Sequence, residues 1–196
     1  MRIISGTLRG RSLGRVPEGV RPTTDRVRES LFSGLGPVAE CDVLDLFAGT
    51  GALGLEAYSR GAASVVFVER TRRVARQLTK RIDAWGLGDE PALRVVEADA
   101  RKALARMASE GRAQFDLVFL DPPYLEGEES EREPTLEALF SSGLLASEAM
   151  VVVEGPTRHP LRALPGIRVV DERRYGDTML TWLTPAAERA GAPIPE

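Results

Sequence analysis

The chain has 196 residues and a formal net charge of −3, and 43% of its residues are hydrophobic, which suits one soluble α/β domain. No apolar run approaches the ~20 residues of a membrane span, and the first residues lack the apolar region of a signal peptide. A single cysteine and a single histidine exclude an intrachain disulfide and argue against a Cys/His metal site, a Ser-His-Asp triad and a Cys-His dyad. We therefore expect a cytoplasmic protein without a metal, whose chemistry uses carboxylates, tyrosines, arginines and backbone groups.

The first 28 residues form a basic segment. Seven arginines against Glu18 and Asp25 give it a net charge of +5, which leaves −8 for the other 168 residues of a chain whose total is −3. The chain prefers arginine to lysine throughout, but that preference does not explain why acids avoid this segment. A basic arm on an acidic body predicts a polyanionic partner. The expected contacts to that partner are Arg2, Arg9, Arg11, Arg15, Arg21, Arg26 and Arg28.

The predicted elements begin with a short, edge-like β-hairpin over residues 1–16 and a helix that starts at Thr24 or Asp25 and ends at 34–37. Strands and helices then alternate. Strands are predicted at 42–46, 64–69, 93–98 and 115–120, with helices after the first three, each ended by a glycine. A short helix at 135–143, a strand at 149–155 and two strands joined at 175–177 complete the pattern.

This alternation predicts an α/β fold with a mostly parallel, doubly wound sheet that is covered on both faces. The closing hairpin adds an antiparallel strand. We divide the chain into a basic N-terminal extension at 1–40, a main domain at 41–184 and a polar, Ala/Pro-rich tail at 185–196 that we expect to be disordered.

Polar features follow the predicted strands, where ligands bind in open α/β sheets. The first strand leads into "DLFAGTGALG" (45–54), whose glycines fit G-x-G-x-x-G and would bring helix amides close to a ligand. Glu69 ends the second strand, 18 residues after Gly51, where a ribose diol could be bound. Asp99 follows the third strand and could contact an adenine amine, or could equally cap the next helix. Gly54 could simply permit helix packing, and Glu69 could pair with a neighbouring arginine.

The fourth strand ends abruptly in Asp121-Pro122-Pro123-Tyr124. Two prolines have no use at the end of a core strand, since each removes a backbone donor and fixes φ. They can, however, hold a carbonyl and its neighbours in one geometry. The stop therefore predicts a rigid set of functional groups rather than a plain loop.

These motifs resemble those of a known family. The first-strand loop with Glu69 resembles the S-adenosylmethionine site of the Rossmann-like methyltransferases, and "DPPY" resembles the motif of those that methylate exocyclic amines. The segments "RIISGTLRGRSL" (2–13) and "RPTTDRVRESLF" (21–32) resemble the bacterial 16S ribosomal RNA guanine-(N2)-methyltransferase family. The resemblance implies a Rossmann-like methyltransferase fold and S-adenosylmethionine as cofactor. The cofactor contacts that it implies are Asp45, Phe47, Ala48, Gly49, Gly51, Glu69 and Asp99, with Thr23 and Thr24 from the arm.

The resemblance also implies roles for "DPPY". Methylation of a guanine N2 amine places positive charge on that nitrogen, and Asp121 with the carbonyl of Pro122 would stabilise it. The two prolines, Pro122 and Pro123, hold the carbonyl rigidly. Tyr124 would stack on a base that has left its helix, worth ~1–3 kcal/mol. The implied partner is small-subunit ribosomal RNA or the assembled small subunit, and we expect a monomer.

Three other functions stay open on the residues alone. A DNA adenine-N6 or cytosine-N4 methyltransferase can share "DPPY", although the chain is short for one with its own sequence-reading domain. A dinucleotide-binding oxidoreductase would use the glycines and Glu69 but leaves "DPPY" without a purpose. A non-catalytic RNA-binding module would need only the basic arm. The acidic loop at 126–133 fits none of these directly, and either points away from RNA or contacts a ribosomal protein.

Overall fold

The computed structural model describes residues 1–14, 25–111, 114–123 and 130–186. Several sequence-based predictions lie outside those ranges: the contacts expected of Arg15, Arg21, Thr23, Thr24 and Tyr124, the first half of the acidic loop (126–129), and nearly all of the tail. The elements of the described residues are α1 (Asp25–Leu35), β1 (Asp42–Leu46), α2 (Ala52–Ser59), β2 (Ser64–Glu69), α3 (Arg72–Ala84), β3 (Leu93–Glu97), α4 (Ala100–Ser109), β4 (Phe115–Leu120), α5 (Arg132–Phe140), β5 (Leu145–Pro156), β6 (Ile167–Tyr175) and β7 (Thr178–Pro185).

The seven strands form one sheet in the order β3-β2-β1-β4-β5-β7-β6. Strands β1 to β5 are parallel, while β7 runs antiparallel to both of its neighbours. The predicted fold class is confirmed, including the antiparallel closing hairpin. The strand order reverses between β1 and β4, and such a switch point is where open α/β sheets bind ligands.

Two elements begin earlier than the sequence predicts. Helix α5 begins at Arg132 rather than at residue 135, so that Pro134 lies in its first turn. A proline is tolerated there because the first backbone N–H groups of a helix have no partner within it. Strand β5 begins at Leu145 rather than at residue 149. Its pairing with β4 shifts register between Phe115 and Leu117. Because such an irregularity breaks the alternation of apolar and polar residues, the sequence did not predict the first residues of β5.

Each face of the sheet has its own core. The N-terminal residues, α1, α2 and α3 pack on one face, against side chains such as Phe67, Phe119 and Val152. Helices α4 and α5 pack on the other, against Val118 and Val153 among others. Adjacent residues of one strand enter opposite cores because side chains alternate along a strand.

Within residues 1–14, the predicted N-terminal hairpin is reduced to one antiparallel bridge, between Arg2 and Ser12. It packs on α2 rather than on a sheet edge. The fully buried carboxylate of Glu56 accepts hydrogen bonds from the backbone amides of Ile4 (2.7 Å) and Ser5 (3.0 Å). Three apolar side chains of this segment, Ile3, Leu8 and Leu13, are part of the core, so the segment is built into the domain.

Candidate functional site

The register of the sheet brings the strand-end residues into one row. Leu46 of β1 pairs with Val68 of β2 and with Leu120 of β4, so Glu69 and Asp121 stand one residue further along, on either side of the chain that leaves β1. Leu120 also pairs with Val153. The row therefore continues from Asp121 to Glu154 on β5.

The chain that leaves β1 has an unusual backbone. Phe47 has φ of +63°, a left-handed conformation that is a genuine outlier for a bulky residue. Gly49 (φ +54°) and Gly51 (φ +74°) follow in the same region of conformational space. Such backbones cost about 1–3 kcal/mol at a non-glycine residue and cluster at ligand sites.

Packing accounts for two of the glycines. A Cβ at Gly51 would lie 2.5 Å from a Leu78 methyl carbon, and one at Gly54 would lie 2.3 Å from the Phe67 ring. The amide of Gly51 donates to the carbonyl of Ala48 (2.7 Å) and that of Gly54 to the Asp45 carboxyl (3.0 Å). These two amides are used within the protein, whereas the sequence suggested that helix amides would face a ligand. The packing interpretation of Gly54 is the one that the structure supports.

Asp45 lies beneath this loop and is only 3% exposed. Burial raises the pKa of its carboxyl to about 8, the hydrogen bond from Gly54 opposes that shift, and the charge of Glu69 adds to it. The group is therefore protonated at neutral pH. It serves as a neutral support for the turn into α2.

Glu69 is the buried carboxylate at the end of β2, with an exposed fraction of 8%. One of its oxygens accepts a hydrogen bond from the amide of Gly49 (3.0 Å), and the other accepts from the amide of Thr71 (2.7 Å). These bonds fix the carboxylate against the glycine loop. Each carboxylate oxygen can accept a second hydrogen bond, so this pair of acceptors fits the two ribose hydroxyls of the expected cofactor, which would donate to it.

Asp99 caps α4. Its carboxylate accepts a hydrogen bond from the amide of Lys102 (3.2 Å), and the side chain is half-buried. Of the two roles that the sequence left open, the structure shows the cap. A contact to a ligand, which Asp99 could make with its other oxygen, stays a prediction.

The residues after β4 show a graded burial: Asp121 is half-buried, Pro122 is buried and Pro123 is exposed. Their neighbour Glu154 is a buried carboxylate, 7% exposed, that the sequence analysis missed. The signal was present, because Glu154 follows the apolar run of β5 as Glu69 follows that of β2. Only the pairing of β4 with β5 shows that it lies beside Asp121.

The basic arm divides into exposed and buried arginines. Arg2, Arg9 and Arg26 are exposed, as is Arg11, which donates to the carbonyl of Trp85 (2.7 Å) and lies over the Trp85 ring. Arg28, in contrast, is fully buried. It donates to the carbonyl of Arg2 (2.6 Å) and pairs with Asp25 (2.8 Å). The expectation that Arg28 contacts RNA is therefore wrong for this conformation, since the guanidinium joins the arm to α1 and cannot reach a phosphate.

Within the described ranges, no three His, Cys, Asp or Glu side chains lie together as a metal site would require. None of the helices there is long and apolar enough to cross a membrane.

Comparison with known proteins gives consistent matches over nearly the whole chain. The family model described as "Conserved hypothetical protein 95" matches residues 1–184. The ribosomal RNA small subunit methyltransferase D of Escherichia coli K12 is 43% identical over 168 residues, 84% of this chain and 79% of the relative. Its counterpart in Haemophilus influenzae is 38% identical over 178 residues, 90% of this chain and 89% of the relative. The solved structure of the Escherichia coli protein yhhF superposes with a TM-score of 0.81 at 38% identity, covering 96% of this chain and 99% of that one.

Proposed function

This chain belongs to the family described as conserved hypothetical protein 95, and on that premise we propose that it methylates the N2 amine of a guanine in small-subunit ribosomal RNA, with S-adenosylmethionine as methyl donor. The methyltransferase activity on ribosomal RNA follows from the relatives, which carry it in their names. The choice of guanine and of N2 is the further step. We also propose that the protein acts in the cytoplasm and as a monomer. Its substrate would be naked ribosomal RNA or the assembled small subunit.

S-adenosylmethionine, when bound, supplies a methyl group on a positively charged sulfur. Glu69 would hold its ribose hydroxyls, because both carboxylate oxygens are fixed by the amides of Gly49 and Thr71 and each has capacity for one more donor. The backbone of Phe47, Ala48 and Gly49 would lie against it. Asp45 would support this loop from beneath as a neutral group.

One observation supports methylation of an amine more than any other. The ends of β1 and β4 are adjacent in the sheet, so Asp121 lies beside the glycine loop. A carboxylate there can accept a hydrogen bond from an amine and stabilise the positive charge that develops on its nitrogen. The carbonyl of Pro122 can accept a second. Because Pro122 is buried, water competes little with these bonds.

Glu154 favours guanine among the bases. The amine edge of guanine carries two kinds of donor side by side, the N2 amine and the N1–H group. Adenine and cytosine have an acceptor beside their amine, which would face a carboxylate unfavourably. Two neighbouring carboxylates, Asp121 and Glu154, would therefore match guanine and disfavour the other two.

The product of the reaction tests this proposal. The protein, methyl-labelled S-adenosylmethionine and small-subunit ribosomal RNA, naked or assembled, would be incubated, and the RNA digested to nucleosides. We expect the label in N2-methylguanosine. Label in N6-methyladenosine or N4-methylcytidine would contradict the choice of guanine, and unlabelled RNA in both forms would contradict the function.

A pair of variants on β4 tests the catalytic assignment. Asp121→Ala should reduce turnover about 10²- to 10³-fold, because it removes one preorganised group at the developing charge, while donor affinity stays within a few-fold. Asp116→Ala is the matched control: it removes an exposed carboxylate at the other end of the same strand, which accepts a hydrogen bond from the amide of Asp42 (2.9 Å), and it should leave turnover unchanged. Wild-type turnover in Asp121→Ala would refute its role.

Tyr124 tests the stacking role separately. Tyr124→Phe should retain most activity and Tyr124→Ala should lose much of it, since stacking needs the ring and not the hydroxyl. If the two variants were equally slow in single-turnover assays, the hydroxyl would have a function of its own.

A further inference from the structure

Helix α3 presents four cations on one stripe of its exposed surface. Its apolar side chains Val74, Ala75, Leu78 and Ile82 are buried against the sheet. At roughly 100° per residue, the four cations fall within about 100° of arc on the opposite side. We call this set the α3 stripe: Arg72, Arg73, Arg76 and Lys80, all exposed.

Helix stability does not explain the α3 stripe. Arg72 and Arg73 lie in the first turn, where the helix dipole disfavours cations, and that turn contains no acidic residue. Arg72, Arg76 and Lys80 are also spaced four residues apart, so that like charges are neighbours along the helix, which is unfavourable. Among the described residues, only Arg72 of the four has an acidic partner, and Glu97 is 3.8 Å away with both side chains well exposed. Within the described residues, the fold therefore gives these cations no stabilising role that would account for their clustering.

The α3 stripe connects the candidate site with the basic arm. It begins directly after Glu69 and spans about 12 Å to Lys80. Beside it, Arg81 donates to the carbonyl of Thr50 in the glycine loop (2.9 Å). Beyond the end of the helix, Arg11 of the arm binds the carbonyl and ring of Trp85. Cations thus line this face from the cofactor edge of the sheet toward the arm, and the exposed Asp83 interrupts them near the end of α3.

We propose that the α3 stripe binds backbone phosphates of the substrate RNA, an inference that rests on the proposed function. Exposed arginine and lysine side chains neutralise phosphates and fix the position of a nucleic acid without reading its sequence. A stripe that starts beside Glu69 would hold the strand near the pocket while the target base reaches Asp121. The net charge of −3 makes such a local concentration of cations the feature that attracts RNA to this face.

Two charge-matched triple variants test the assignment. The first, R73Q/R76Q/K80Q, removes three cations from α3 and leaves the Arg72–Glu97 pair intact. The control, R101Q/K102Q/R106Q, removes three exposed cations from α4, on the opposite face of the sheet. Both change the net charge equally. Filter binding to small-subunit ribosomal RNA over a salt series would be run with each, beside calorimetry with S-adenosylmethionine and thermal unfolding.

We expect the α3 triple variant to bind RNA about 100-fold more weakly at 0.1 M salt and to lower the slope of log affinity against log salt by about 2, at ~0.7 per phosphate contact. The α4 triple variant should keep the wild-type affinity and slope. Donor binding should be unchanged in both. The α3 triple variant should also unfold at a temperature no lower than wild type, because it relieves repulsion within the helix.

Three results would overturn the assignment. An unchanged RNA affinity and slope in the α3 triple variant would mean that the stripe has no RNA contact. An equal loss in both triple variants would mean that only net charge matters. A loss of binding to assembled subunits with unchanged binding to naked RNA would assign the stripe to a ribosomal protein instead. Failure of the wild-type protein to methylate any ribosomal RNA would be a different result, since it would refute the proposed function and not merely the stripe.

Discussion

The segment from β1 to α3 (residues 42–84) and the β3–α4 unit that follows it (residues 93–109) have the same plan, but they differ in how their charged side chains are used within the fold. In each, parallel strands lead into helices, and acidic residues stand at the strand ends. In the second unit three charged side chains have a local use: Asp99 caps α4, and Arg101 and Arg106 lie 3.7 Å and 3.6 Å from Glu131 and Glu110.

The first segment keeps charges that its own fold does not require. Within the described residues, Thr71 at the start of α3 makes no side-chain capping bond, and of the α3 stripe only Arg72 has an acidic partner, Glu97 at 3.8 Å. Two of its carboxyl groups are buried at the strand ends: burial raises the pKa of Asp45 to about 8, and Glu69 is fixed against the glycine loop. The second unit shows that a stable strand–helix unit needs none of these features, which is why we propose that they belong to a ligand site.

The largest expected effect concerns Asp45 and pH. An unfolded Asp releases its proton near pH 3.8, whereas the folded one keeps it to about pH 8. Between these values the unfolded state binds fewer protons, so Asp45 lowers stability as pH rises, by at most about 1.4 kcal/mol per pH unit. Asn at 45 cannot ionise. The free energy of unfolding of Asp45→Asn, relative to wild type, should therefore increase from pH 4 to pH 8 in urea titrations; parallel pH curves would show that Asp45 is ionised in the fold.

The next effect separates Glu69 from its neighbour in the sheet. Glu69→Ala should weaken S-adenosylmethionine binding ~10- to 150-fold, because hydrogen bonds to a charged acceptor contribute ~1.5–3 kcal/mol. Glu97 pairs with Glu69 across the β2–β3 ladder but is exposed, which makes Glu97→Ala a matched control that should bind normally. Calorimetry decides the outcome, and tight binding of NAD in place of the methyl donor would reverse the assignment of the cofactor.

The smallest effect concerns Asp99. If it acts as a cap, Asp99→Ala should cost about 1 kcal/mol of stability, whereas Asp99→Asn, a good capping residue, should cost little. If the cap is its only role, neither variant should change donor affinity more than a few-fold. A stable Asp99→Asn protein with a tenfold loss of affinity would place Asp99 at the cofactor and weaken the contrast between the two segments.

Most of the fold is predictable because its central strands are simple. The bounds of β1, β2 and β4 match the apolar runs of the sequence, since strands buried on both faces need continuous apolar residues between polar ends. The strand-end rule likewise identified Glu69 and Asp121 as neighbours of one edge.

The parts that sequence reasoning misjudged depend on long-range pairing. Arg28 belongs to a basic segment that is typical of nucleic-acid contacts, but the arm folds back over α1 and buries the guanidinium beside the Arg2 carbonyl. Glu154 becomes notable only when β5 pairs with β4. The α3 stripe was hidden by counting charge over the whole chain after residue 28, where acids elsewhere conceal a local cluster.

Because the arm docks on Glu56, residues 1–14 are synthesised well before they can fold. The amides of Ile4 and Ser5 bind a carboxylate 52 and 51 residues further along the chain. A ribosome that adds about 5–20 residues per second needs about 3–10 s to cover that distance. Until then Ile3 and Leu13 have no core to enter. The arm therefore stays undocked until α2 has been synthesised, and it then packs onto α2. In a nascent chain that stops before α2, Arg2, Arg9 and Arg11 would belong to a segment that has not yet folded.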